Sequence, residues 1–229
     1  MTQAIARRAL LLSAAALPLL SRRATAQVEQ QALVDQSTLT VNEMMGDSGD
    51  ARRLLRRCRA VMIFPRVFKG GFIIGGEGGG GLLVGRDGGG GWSSPAFYGL
   101  GSGSVGFQIG ISDSQVIFFI MNDRALTAVM DSQFKFGGDA AIAVATIGAG
   151  IEGSTTAALR ADIVTLSKSR GLFAGLSLEG SLMASRSSWN EAYFGRAVSA
   201  QQIVLAAEVH NPGADPLRGA LTRWSAAGE

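Results

Sequence analysis

Residues 60–87 read AVMIFPRVFKGGFIIGGEGGGGLLVGRD. Residues 61–64, VMIF, are apolar and rich in β-branched and aromatic side chains, which predicts a strand that Pro65 ends. GFIIGGEG and GLLVGR are two further apolar strands separated by glycines, and Asp87-Gly88-Gly89 is a hairpin turn signal. The chain of 229 residues holds 32 Gly against five Pro, without the period of three that collagen needs. Glycine at that level points to tight turns and close backbone approaches in a β-rich fold.

Upstream the period changes. Val28, Leu33, Val34, Leu39, Val41, Met44 and Met45 predict a moderately amphipathic helix over 28–46, broken by Asp47-Ser48-Gly49-Asp50. Asp50 is placed to cap the next helix. There Ala51, Leu54, Leu55, Cys58, Val61 and Met62 follow i, i+3, i+4, i+7 spacing, with arginines on the other side. Downstream, 92–98 and 105–111 continue the sheet and QVIFFIM at 115–121 is a buried strand. Asp123–Met130 is a short helix capped by Asn122 or Asp123. Strands follow over 138–147, 155–167 and 171–183, then a helix over 199–208 and a flexible tail from 209 to 229. The fold class is α+β: N-terminal helices packed on a strongly twisted, mostly antiparallel, Gly-rich sheet, with a barrel-like form among its options.

Residues 1–26 have the three parts of an export signal in order. Arg7 and Arg8 precede a 12-residue apolar run at 9–20, and Ala24-Thr25-Ala26 is a small-x-small cleavage site. Arg7-Arg8 also fits twin-arginine export, and the general secretory route stays open. The expected organisation is a signal peptide over 1–26, a helical segment over 27–59, the main domain over 60–208 and the tail. The expected location is the periplasm or envelope of a bacterium. Without the leader the chain has 17 basic and 18 acidic residues, a poor balance for bulk nucleic-acid binding. Cys58 is the one cysteine, so no internal disulfide staples the fold, and its helical position reads as a small buried hydrophobe.

Chemistry is sparse. Gly101-Ser-Gly103-Ser-Val-Gly106 fits G-x-G-x-x-G, but it runs into a strand-like VGFQIGI where a nucleotide site needs a helix N-terminus. The single histidine, His210, leaves a hydrolytic triad nothing else to recruit. One His and one Cys do not build a metal site of those ligands. Asp87, Asp113, Asp123, Asp139, Glu152, Asp162 and Glu179 are scattered, which leaves a carboxylate pair or an oxygen-ligated cation open only if the fold brings two together. No cofactor is implied, and the chain reads as a non-enzyme.

Charge is concentrated once. Between Asp50 and Glu77 there is no acid, and that window holds Arg52, Arg53, Arg56, Arg57, Arg59, Arg66 and Lys69. Such a stretch either attracts anionic lipid headgroups or forms a solvated helix face balanced by the acids of residues 29–50.

From Ala60 onward the sequence resembles the SYLF domain family. AVMIFP at 60–65, KGGFIIGGEGGGGLLVGRD at 69–87 and WSSPAFYGLGSGSVGFQIGISDSQVIFFIMNDRAL at 92–126 carry the similarity. KFGGDAAIAVATIGAGIEG at 135–153 and SKSRGLFAGLSLEGSLM at 167–183 complete it. The resemblance implies binding of anionic lipids, chiefly phosphoinositides, through a basic amphipathic N-terminal element; some eukaryotic members also bind actin. Carried over, it assigns lipid contact to Arg52, Arg53, Arg56, Arg57, Arg59, Arg66 and Lys69, with Lys168 and Arg170 beside them. Two departures stand out: Thr146-Ile147-Gly148-Ala149 replaces the family's Gly-Pro-x-Gly-Arg, and a Src-homology-3 segment is not expected to follow. With export assumed, actin is an unexpected partner, and bacterial anionic phospholipids replace phosphoinositides. The rival expectation is an envelope scaffold that binds a protein and no lipid.

Overall fold

The computed structural model describes residues 27–71, 74–105, 110–131, 133–136, 142–146, 161–171 and 181–226. Helix α1 covers 27–47. Its inward positions Gln30, Val34, Ser37, Val41, Met44 and Met45 recur at helical spacing and are fully buried. A one-residue break leads to α2 (Gly49–Arg57), whose cap is Ser48, not Asp50: the Ser48 hydroxyl accepts the Ala51 N–H at 3.2 Å. Asp50 lies in the first turn of α2 and Arg56 and Arg57 in the last, each favourable to the helix dipole.

Among the described residues eight strands follow: β1 (Ala60–Gly71), β2 (Ile74–Gly85), β3 (Ala96–Val105), β4 (Gly110–Ile120), β5 (Gln133–Lys135), β6 (Ile142–Thr146), β7 (Ile163–Gly171) and β8 (Leu182–Ser185). They form one sheet in the order β5-β8-β3-β2-β1-β4-β7-β6, antiparallel except for the parallel β6–β7 pair. Pro65 does not end the first strand. The β1 register shifts between Phe64 and Val67 against β4, and between Ile63 and Phe68 against β2. The bulge absorbs a residue that has no N–H to give to a central strand.

Both faces of the sheet are covered, which explains strands that read as nearly continuous apolar runs. Ala60, Met62 and Phe64 point into one core with Leu83, Phe118 and Phe134. That core is closed by α3 (Asp123–Met130), capped by Asn122, one of the two expected cap residues, and by α5 (Ala200–Val204). Val61 and Ile63 point into the other, beneath α1, α2, α4 (Ser187–Phe194) and α6 (Asp215–Ala226). Gly81 is needed at its position, because a Cβ there would sit 2.5 Å from the Phe64 ring.

The C-terminal expectation needs correction. The stretch 209–229 is not a flexible tail over its described part. Asn211 caps a 3-10 turn (Pro212–Ala214) that enters α6, and Leu217, Ala220 and Leu221 of α6 are fully buried. The Trp224 indole donates to the Asn42 side chain of α1 at 3.0 Å. The helical segment 27–59 therefore shares a core with the C-terminus. The helix expected over 199–208 stops at Val204, and α4 was not anticipated.

Candidate functional site

Helix α2 enters the fold by its apolar side. Ala51 and Leu55 are buried, and so is Cys58 just beyond. That side faces protein, which removes it as a surface to insert into lipid. The Cys58 thiol donates to the Leu55 carbonyl at 3.3 Å, and burial pushes its pKa up to about 12. Arg86, which the sequence reading passed over, fixes the end of the helix. Its guanidinium donates to the carbonyls of Cys58 (3.0 Å), Leu55 (2.8 Å) and Arg56 (3.4 Å) and lies 4.5 Å from the Trp92 ring. These are carbonyls that a helix end leaves without intrahelical partners.

The arginines divide by position. Arg52 turns inward: it donates to the Met45 carbonyl at 2.7 Å and lies 5.9 Å from the Trp224 ring. Arg53 and Arg57 are exposed, and Arg56 is half-buried. Arg53 pairs with Asp50 one turn back, and Arg59 pairs with Asp123 at 2.8 Å. Pairs this exposed are worth about 0–1 kcal/mol and are screened by salt, so the guanidinium groups stay available to a competing anion.

The other assigned cations lie elsewhere. Arg66 lies within the β1 bulge, roughly 20 Å along the strand from Ala60. It pairs with Asp113 at 2.8 Å. Lys168 on β7 is held between Asp47 and Glu43 of α1 at 2.6 and 2.7 Å, and these two hydrogen bonds raise its pKa. The side chains of Lys69 and Arg170 lie outside the described residues; their backbones register with Ser112 and Asp113 of β4. Arg52, Arg53, Arg56 and Arg57 thus lie on α2 with Arg59 two residues beyond it, while Arg66 and Lys168 line one cleft together with Glu43 and Asp113.

The remaining chemical signals resolve into structure. Gly101 and Gly103 lie within β3. Asp87 accepts the backbone N–H groups of Gly89 and Gly91, a turn-holding role. Asp162 accepts from Asn122 and Arg124. Asp139, Glu152 and Glu179 lie outside the described residues. Among the described residues, no group of three or more His, Cys, Asp or Glu is placed to hold a metal ion, and no helix is long and apolar enough to cross a membrane.

The profile of the family described as "Ysc84: Las17-binding protein actin regulator" matches residues 101–224. The human SH3 domain-containing YSC84-like protein 1 is 36% identical over 140 residues, covering 61% of this chain and 41% of that protein. Protein YSC84 of Saccharomyces cerevisiae is 26% identical over 200 residues, covering 86% of this chain and 42% of that protein. The chain therefore spans about two fifths of the length of these curated relatives. No solved structure matches. With over half its length under the family profile, α6 included, the chain belongs to the Ysc84 (SYLF) family.

Proposed function

We propose that this chain is a non-catalytic module that associates reversibly with anionic membrane surfaces through the outward arginines of α2. The supporting observation is that Arg53 and Arg57 project from a helix whose apolar side is locked into the core. Contact is then electrostatic and superficial, without insertion of the helix. Near-surface cations contribute on the order of 1 kcal/mol each before screening. With residues 1–26 taken as an export leader, the membrane is one of the bacterial envelope, and phospholipid anions such as phosphatidylglycerol are the ligands.

The test is a titration of residues 27–229 with phosphatidylcholine vesicles carrying increasing phosphatidylglycerol. Binding is expected to rise with anionic fraction, fall with salt, and drop at least tenfold in the double variant R53E/R57E. Arg52 is left in place because it supports the fold. Equal binding by the double variant removes α2 as the site.

A second reading has its own support. The family match begins at residue 101, beyond α2, and the family is described by a protein partner and actin regulation. In that reading the strands and C-terminal helices under the profile bind a protein, and α2 only docks internally. It also returns actin regulators to the partners that the export reading set aside. A salt-insensitive pull-down of one partner, with no vesicle association, selects it.

A further inference from the structure

A groove of about 580 Å³ runs between α1 and the β1–β2 end of the sheet. Leu33, Pro65, Phe68 and Trp189 line it, and Gly78, Gly79 and Gly80 supply a floor without side chains. Phe68 is 46% exposed there, an uncommon state for a large aromatic side chain. A second cleft of about 490 Å³ continues it past Gln36, Pro65 and Arg66 to the exposed Leu39. Each volume lies within the range of small-molecule sites, which are mostly apolar with a few polar anchors.

The anchor here is Arg186. Its guanidinium lies 3.6 Å from the Trp189 ring centroid. Among the described residues that guanidinium donates no hydrogen bond and meets no carboxylate at ion-pair distance. Stacking occupies its face and leaves its N–H edge, which suits two oxygens of one anion. Desolvation lowers its pKa, with the Glu29 charge acting the other way. Arg66 on the opposite wall is already matched by Asp113. The groove therefore has one cation that, among the described residues, no acceptor holds at hydrogen-bond or ion-pair distance, beside an apolar floor, with Glu29 at its rim opposing any surplus negative charge. A monoanion fits this balance better than a dianionic phosphate.

We propose that this groove binds a long-chain carboxylate, the head on the Arg186 guanidinium edge and the chain along Leu33, Phe68 and the glycine floor. The site stands apart from α2 and does not depend on the membrane reading. Gly80 offers a separate handle on it. A Cβ there would meet Leu33 at 3.4 Å and Arg186 at 3.9 Å, both ordinary contacts, so a larger side chain fills the groove without entering the core.

The experiment is calorimetric titration of the full chain with palmitate and with hexanoate. Palmitate is expected to bind at least tenfold more tightly than hexanoate. R186Q and G80V are each expected to weaken palmitate at least tenfold, E29Q to tighten it, and R53E/R57E to leave it unchanged. Thermal unfolding of each variant checks the fold; should R186Q not fold, G80V carries the test. Equal affinity for the two acids overturns the proposal, as does unchanged palmitate binding in a folded R186Q or in G80V. Binding of an acidic apolar peptide, Leu-Asp-Phe-Leu, with no uptake of palmitate would make the groove a peptide site and overturn it also.

Discussion

Cys58 shows how a residue's surroundings become a pH dependence. Burial raises its thiol pKa from an ordinary 9.0 to about 12, more than the nearby Arg86 charge lowers it. In the fold the thiol stays neutral where the unfolded chain has ionised. This contribution is fully present below pH 9 and is lost progressively as pH rises from there towards about 12. Over that window the unfolding free energy should fall by about 1.4 kcal/mol per pH unit from this group. Urea unfolding of Cys58→Ala across the same window should show a shallower slope than the parent; an identical slope removes the thiol as its source. A second residue sets a steric limit. Gly81→Ala drives a methyl into the Phe64 ring, which is pinned edge-on against Phe118 at 5.7 Å. We expect a loss of about 1–3 kcal/mol in unfolding free energy, read from the shift of the urea midpoint. The buried state of Cys58 was legible because it lies seven positions after Ala51 on one helix side. Arg86 was not, because its acceptors lie up to 31 residues earlier and only the hairpin brings them near. Arg186 and Trp189 escaped notice for the same reason: their groove partners belong to α1 and β2.

At the scale of elements, α6 tests the corrected architecture. Leu217→Ala should cost about 2–5 kcal/mol by chemical denaturation, the range for a buried leucine. A change within about 0.5 kcal/mol, normal for an exposed site, would restore the loose-tail reading. The sequence concealed this helix. Pro212, Gly213 and Gly219 argue locally against one, and its few buried positions give a thin apolar stripe. Pro65 misled in the opposite sense: local rules end a strand there, and a bulge lets it continue. The α3 cap was legible because Asn122 needs only its own N–H neighbours. Lys168 ties α1 to β7, and its facing groups are Glu43 and Asp47. Its raised pKa means the tie is complete below the ordinary lysine value of 10.5 and is lost as pH climbs through the folded value. Amide exchange in the C-terminal half of α1 should therefore accelerate in Lys168→Met at neutral pH.

Across the whole molecule, the α+β class was readable from the change of period near Ala60, but the strand order was not. Nothing local tells β1 to lie between β2 and β4, or β6 to run parallel to β7. The cationic window was equally visible, yet the one linear run is divided, because β1 carries Arg66 from the C-terminal end of α2 into a cleft with Glu43 and Lys168. This separation predicts independence: R53E/R57E should change vesicle binding and not palmitate uptake, R186Q the reverse, and the combined variant should show both losses without coupling. A coupling above about tenfold would merge the regions into one surface. The clamp formed by Arg86 has a kinetic corollary. A helix whose last carbonyls are gripped from a neighbouring hairpin cannot swing or refold to embrace a partner. On the proposed membrane reading, encounter is then expected to be a rigid-body collision guided by long-range charge, fast to form and short in residence.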